Sequence, residues 1–170
     1  MRYTYSMCGI NGILGNNKEA IKAMNQATAH RGPDQTNIAS FPQCTLGHNR
    51  LSIVDLTETG AQPMTTQSGR YTIVYNGEVY NASNLRSELS KLGVTFRGSS
   101  DTEIILYAYE NWGPACINRF RGMWAFAIYD RDNKTLFLSR DHFGIKPLYL
   151  YRDQKTVAFS SEIRGLLALP

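Results

Sequence analysis

The residues best suited to chemistry stand near the front of the chain, in Met7-Cys8-Gly9-Ile10-Asn11-Gly12-Ile13. A cysteine that opens a strand, followed by two glycines that let other backbone come close, can serve as an exposed nucleophile. The competing reading is a small buried hydrophobe at a strand edge, the commoner fate of a cysteine. Position near the chain start favours the nucleophile. If Met7 were the initiator and were removed, Cys8 would carry a free α-amine, whose pKa of about 7.7–8.0 suits a general base at neutral pH. Nucleophile and base would then belong to one residue, and no separate histidine would be needed. His48 and His142 stand alone, without partners at metal-ligand spacing, so no metal site is expected.

The other polar clusters each admit a structural explanation. Asn76-Gly77 is the commonest signal for a type I′ hairpin turn. Ser100 and Glu103 have capping-box spacing around Asp101, an acidic residue favoured in the first turn of a helix. Arg31 and Asp34 flank the Gly32-Pro33 turn and could form an ion pair beside Cys8, or Arg31 could orient the cysteine.

These residues need a frame. Strand-like segments run over 9–14, 37–41, 45–50, 71–76, 123–129, 135–139, 147–151 and 157–160. Residues 128–140 read as a hairpin with its turn at 130–134. Helical periodicity covers 18–29, 83–92 with Leu85, Leu89 and Leu92 on one face, and 101–112 with Ile104, Ile105, Ala108 and Trp112 inward. About eight strands grouped around central helices, without regular βαβ alternation, predict an α+β layered fold.

The bulk numbers narrow the function classes. With 170 residues, 42% hydrophobic and 19% charged, the chain has the balance of one folded domain, residues 8–170, behind a leader of residues 1–7. The longest apolar run, Met123 to Tyr129, falls far below the roughly 20 residues of a membrane span, so no membrane partner is expected. The polar opening MRYTYS lacks the apolar core of a secretory signal. The net charge is +4, but 18 Lys and Arg are scattered among 14 Asp and Glu, a solvated surface rather than a nucleic-acid face. Cys8, Cys44 and Cys116 are odd in number and far apart, which fits a reducing cytoplasm. The apolar ending from Gly165 to Pro170 reads as though another domain followed, so the chain could be a fragment.

Six motifs in order resemble the class II glutamine amidotransferase domain of asparagine synthetases. They are Met7-Cys8-Gly9-Ile10, His30-Arg31-Gly32-Pro33-Asp34, Gly47 to Asp55, Asn76-Gly77-Glu78-Val79-Tyr80-Asn81, Ser100-Asp101-Thr102-Glu103, and Arg140 to Tyr149. Any one would be weak, but the ordered set covers nearly the whole chain. The resemblance implies an N-terminal-nucleophile hydrolase fold, a four-layer αββα sandwich of two antiparallel sheets.

It also implies roles. Cys8 would attack the side-chain amide of glutamine. Arg50 would clamp the substrate α-carboxylate, a task suited to a planar guanidinium that stays charged. Asp101 would accept the α-ammonium, with Glu78 helping. Asn76 and Gly77 would form the oxyanion hole, and glycine would let the substrate oxygen reach the backbone donor. Arg31 stays open between the structural ion pair and support of the nucleophile, while the loop from Arg140 to Ile145 would be structural and face a partner domain. Glutamine hydrolysis would need no cofactor. ATP and Mg are expected only in a synthetase domain, whose Ser-Gly-Gly-Leu-Asp-Ser loop has no counterpart here. The expected partners are glutamine and the synthetase domain or subunit that receives ammonia, and a homodimer stays open.

The leader is the main departure from the family pattern, because an amide-linked nitrogen is not basic and the leader would fill the glutamine pocket. Either translation starts at Met7, or the leader is cut off, or the protein is inactive; Met-Cys-Gly-Ile is itself a plausible start. Among rivals, the enzyme alternatives are phosphoribosyl- or fructose-phosphate-directed amidotransferases. Pro33 and the run Leu51-Ser52-Ile53-Val54-Asp55 argue for the synthetase branch instead. A non-catalytic binding module of the same fold is the alternative from another class.

Overall fold

The computed structural model describes residues 7–51 and 58–169, so most of the leader and most of the run 51–55 lie outside the described residues. The strand at Gly122–Asp130 shows why the fold must be layered. Trp124, Phe126 and Ile128 point to one side and Ala125, Ala127 and Tyr129 to the other, and all six are buried. A strand alternates its side chains with period two, so this one needs an apolar layer on each face.

Among the described residues the chain forms nine strands in two sheets. The five-stranded sheet contains β1 (Gly9–Leu14), β2 (Gln35–Phe41), β3 (Cys44–Arg50), β8 (Tyr149–Arg152) and β9 (Val157–Ser160), in the order β2-β3-β1-β9-β8. The four-stranded sheet contains β4 (Met64–Thr65), β5 (Tyr71–Val79), β6 (Gly122–Asp130) and β7 (Thr135–Arg140), in sequence order. Every pairing is antiparallel. Two helices, α1 (Lys18–Ala27) and α4 (Ile163–Leu167), cover the first sheet; α2 (Ala82–Lys91) and α3 (Asp101–Trp112) cover the second.

Three apolar clusters fill the three interfaces. Ile21 and Met24 of α1 pack with Ile13 and Ala158 of the first sheet. Ile10 and Leu46 meet Val74, Ala127 and Tyr129 between the sheets. Leu85, Leu89, Ile104 and Ile105 pack on Ile73, Trp124 and Phe126. The layer order is therefore αββα, as the resemblance implied.

Local chemistry decides where elements begin and end. Asn17 caps α1 by accepting the Ala20 N–H at 3.0 Å. At the other end the Thr28 hydroxyl turns back onto the Met24 carbonyl at 2.9 Å, so the helix stops at Ala27 rather than Ala29. Helix α3 keeps its expected bounds and ends on Gly113 at φ 61°. Its predicted capping box is only half formed. Ser100 accepts the Glu103 N–H at 3.4 Å, but the Glu103 carboxylate is taken by the N–H groups of Arg97 and Gly98 at 2.9 and 3.0 Å. The hairpin turn at Asn76-Gly77 is also overturned, because β5 runs straight through both residues, pairing Asn76 with Ala125 and Gly77 with Trp124. The predicted hairpin from β6 to β7 does form.

Candidate active site

Cys8 enters β1 at the mouth of a cleft of about 270 Å³, which gathers Arg50 from the end of β3, Asn76, Gly77 and Glu78 from β5, and Asp101 from the start of α3. The structure thus brings together six residues from four separate stretches of the sequence. Arg31 sits just behind Cys8.

The Cys8 sulfur accepts the Leu51 N–H at 3.4 Å and lies 3.6 Å from the Leu51 carbonyl. Burial pushes the thiol up from its ordinary value, while the Leu51 N–H and the cations of Arg50 and Arg31 pull against it. Burial prevails, so the resting sulfur carries its proton and needs a base. In the chain as described the Cys8 nitrogen is an amide joined to Met7, and Met7 itself lines the cleft. Cys44 and Cys116 are fully buried, and burial raises both thiols to about 12, which makes them inert.

Arg31 is buried and acts on the backbone. Its Nε donates to the Cys8 carbonyl at 3.2 Å, and one terminal nitrogen pairs with Glu162 at 3.0 Å. The ion pair suggested with Asp34 is made instead with a residue 131 positions along the chain. Arg50 is also buried, with its guanidinium donating to Gln35 at 3.4 Å, its cross-strand neighbour.

The Asn76 side chain shares the inter-sheet face of β5 with Val74. Its amide nitrogen is buried without a hydrogen-bond partner among the described residues. Such an orphaned donor costs about 1–3 kcal/mol, and a site that uses the donor in a reaction can retain that cost. At Gly77 the strand pairing supplies a further reason for glycine. A Cβ there would sit 2.3 Å from the Met123 carbonyl oxygen and 2.8 Å from Trp124 Cα, so the paired strand itself excludes a side chain.

Asp101 is pinned by β5. Its Oδ2 accepts the Tyr75 hydroxyl at 2.7 Å and the Val79 N–H at 3.0 Å. Burial and the adjacent Asp101 charge drive the Tyr75 hydroxyl well above its ordinary pKa, so it stays a donor. Glu78 is exposed at the cleft rim.

Three lining residues escaped the sequence reading. Gln62 uses both ends of its amide on the Tyr75 backbone, accepting the N–H at 2.6 Å and donating to the carbonyl at 3.2 Å, and it also donates to Thr102 at 3.3 Å. It continues the ladder of β4 with a side chain, which no periodicity reveals. Tyr75 reads as one more core aromatic. Lys146 belongs to a loop that does have the structural character expected of it. There the Asp141 carboxylate accepts four backbone N–H groups, from Trp124, Phe143, Ile145 and Lys146, at 2.9–3.3 Å. The Lys146 side chain, however, is buried in the cleft wall. Among the described residues no group of three or more His, Cys, Asp or Glu is placed to hold a metal. None of their helices is long and apolar enough to cross a membrane.

The architecture defines a class: a four-layer αββα sandwich of two antiparallel sheets with a cysteine at the head of its first strand. A family model described as a glutamine amidotransferase domain matches residues 7–170, and the chain belongs to that family. It is 39% identical over 172 residues to asparagine synthetase (glutamine-hydrolysing) 3 of Bacillus subtilis strain 168, covering 96% of this chain and 28% of the relative. It is 41% identical over 185 residues to a putative asparagine synthetase (glutamine-hydrolysing) 2 of Methanocaldococcus jannaschii, covering 96% and 35%. The chain thus spans about a third of the length of these relatives. The fold is shared with a solved glutamine phosphoribosylpyrophosphate amidotransferase from B. subtilis, with a TM-score of 0.78 at 20% identity, covering 95% of this chain and 43% of that one. This chain is accordingly a glutamine amidotransferase-family domain, similar to the matching part of proteins named asparagine synthetases.

Proposed function

We propose that the domain hydrolyses glutamine to glutamate and ammonia through a thioester on Cys8. The ammonia then passes to a synthetase domain or subunit that makes asparagine from aspartate with ATP and Mg. The observation that carries this reading is the single cleft lined by Cys8, Asn76, Arg50 and Asp101, with the Asn76 amide nitrogen buried and without a hydrogen-bond partner among the described residues.

Glutamine would lie with its α-carboxylate on Arg50 and its α-ammonium on Asp101 Oδ1, since the hydrogen bonds from Tyr75 and Val79 both fall on Oδ2. Glu78 adds a second negative charge at the ammonium end. The Cys8 α-amine, through a water, takes the thiol proton, and the sulfur attacks the carboxamide carbon. The carbonyl oxygen becomes negative in the tetrahedral species and is held by Asn76 Nδ2 and the Gly77 N–H. The carbon–nitrogen bond breaks and the amine returns its proton to the departing ammonia. Water, deprotonated by the same amine, then attacks the thioester, and the sulfur leaves as the thiol. Every step uses groups of this chain, with no cofactor.

The mechanism requires Cys8 to be the first residue, since only then is its nitrogen basic. A cytoplasmic setting suits the reactive thiol and is supported by three unpaired cysteines. The test is ammonia release from glutamine by the chain expressed with Met7 as initiator, checked by intact mass for a Cys8 start. Hydrolysis should be present, and the Cys8→Ala variant should lose it while keeping the same circular dichroism. Hydrolysis retained in the alanine variant overturns the assignment.

A further inference from the structure

Arg31 is 8% exposed, and its guanidinium reaches two places at once: Nε donates to the Cys8 carbonyl at 3.2 Å, and one terminal nitrogen donates to Glu162 Oε1 at 3.0 Å. The other terminal nitrogen is buried without a partner. Cys8 precedes the strand ladder, whose first pair is Gly9 with Asn49, so Arg31 holds its carbonyl from outside the sheet. That carbonyl is an atom Cys8 keeps when it is the first residue.

Glu162 is fixed by its own backbone. Its N–H donates to Ser160 Oγ at 3.1 Å, and its carbonyl accepts the Gly165 N–H at 3.0 Å where α4 begins. The preceding residue, Ser161, exchanges two hydrogen bonds of 2.9 Å with Ile10 of β1. The carboxylate also lies 3.0 Å from His30 Nε2 and from Arg164 Nε.

We propose that Glu162 is a positioning residue for the nucleophile: by pairing with the buried Arg31 it keeps the guanidinium on the Cys8 carbonyl, and so fixes the first residue of the active chain over the cleft. The inference rests on the proposed N-terminal-nucleophile mechanism and deepens it.

The joint between Cys8 and the ladder is glycine. Rotation about the Gly9 N–Cα bond would swing the whole of Cys8, amine and thiol together, and glycine resists such rotation less than any other residue. A hydrogen bond on the Cys8 carbonyl oxygen stops it. Arg31 can supply that bond only while its charge is paired, because a buried cation that loses its anion moves towards water. Burial and the Arg31 charge both lower the Lys146 pKa, so a second cation also repels Arg31 at this corner. Burial would raise the Glu162 carboxyl, but hydrogen bonds from Arg31 and His30 hold it below its ordinary value, so it is charged at neutral pH. The turn that carries Arg31 is equally firm: a Cβ on Gly32 would lie 2.3 Å from the Asn49 carbonyl oxygen of β3. A misplacement of about 1 Å between reacting groups can cost about 10²-fold in rate, so the anchoring of Cys8 bears directly on turnover.

The test compares Glu162→Ala with Glu162→Gln, which keeps the size of the side chain and safeguards the fold. Both are made in the chain expressed from Met7 and verified by mass to begin at Cys8. Cys8-Gly9 is the single Cys-Gly pair in the sequence, so carbonyl-carbon-13 cysteine with nitrogen-15 glycine isolates the Cys8 carbonyl in an NMR spectrum. That resonance should shift in both variants as the Arg31 hydrogen bond is lost. The alanine variant should lose about tenfold or more in kcat for glutamine, with KM within about twofold because Arg50 and Asp101 are untouched; glutamine at 162 should act in the same direction. In an Arg31→Met background, Glu162→Ala should change kcat by less than about twofold, because its effect passes through Arg31. A Cys8 carbonyl resonance unmoved in both variants overturns the proposal even if activity falls, and so does a resonance that moves while kcat holds. If the parent chain hydrolyses no glutamine, the proposed function fails, while the carbonyl resonance still decides whether Glu162 holds Cys8.

Discussion

The Tyr75 hydroxyl meets Asp101 Oδ2 at 2.7 Å, and Tyr75 is itself clamped at both backbone polar groups by Gln62. The carboxylate expected to receive the ammonium end of glutamine is thus aimed by a buried aromatic held by a side-chain amide. Removing the hydroxyl with Tyr75→Phe should free Asp101 to rotate. We expect KM for glutamine to rise about tenfold with kcat nearly unchanged, the loss of one charge-assisted hydrogen bond of ~1.5 kcal/mol. A glutamine analogue without the α-amino group serves as the control, and its hydrolysis should respond much less to the substitution.

Asn76 allows function and stability to be pulled apart. Its amide nitrogen has no partner among the described residues, so Asn76→Ala removes a donor on which folding does not depend. The expected result is a fall in kcat of about 10²–10³-fold, as for other lost oxyanion donors. Thermal unfolding should leave the midpoint unchanged or higher. A variant that loses stability in proportion to activity would show the side chain to be structural.

Gly77→Ala should act on the fold first. The added Cβ meets the Met123 carbonyl at 2.3 Å and Trp124 Cα at 2.8 Å, both backbone atoms of β6 that cannot turn aside. We expect a loss of about 2 kcal/mol or more, read by urea unfolding, with activity falling because β5 must shift.

His48 predicts the acid response. It lies fully buried between the sheets with one ring nitrogen 3.3 Å from the Tyr75 carbonyl, and burial lowers its pKa to about 3. An unfolded histidine titrates near 6.5, so below that pH the unfolded chain binds a proton that the folded chain refuses. Stability should therefore decline as the pH falls from about 6.5 towards about 3. In His48→Gln the slope of unfolding free energy against pH over that window should be shallower.

Much of this was readable beforehand, and the exceptions share a cause. Periodicity delimits α3, and the uninterrupted apolar run from Met123 to Tyr129 finds β6, because both patterns arise from burial. Cys8, Arg50, Asn76, Gly77 and Asp101 were singled out through the ordered motifs, and the fold brings those motifs to one cleft. Gln62, Tyr75 and Lys146 were not legible. Each works through a tertiary contact, a side chain standing in for a strand, a core ring with a polar tip, or a cation folded inward by its loop. The dipeptide Asn76-Gly77 misleads for a related reason: its turn propensity is local, and nine residues of cross-strand pairing outweigh it.

Strand β5 supplies Asn76 and Gly77 directly and fixes Asp101 through Tyr75 and Val79. In the proposed binding mode both ends of the substrate are gauged against one rigid length of backbone. The strand is then a ruler, ticked at about 3.4 Å per residue and stiffened by β6 along its whole length. An amino acid shorter by one methylene, such as asparagine, could satisfy the ammonium grip or present its amide to Cys8, but not both. Selectivity for chain length would then reside in the scaffold, with no specificity pocket required.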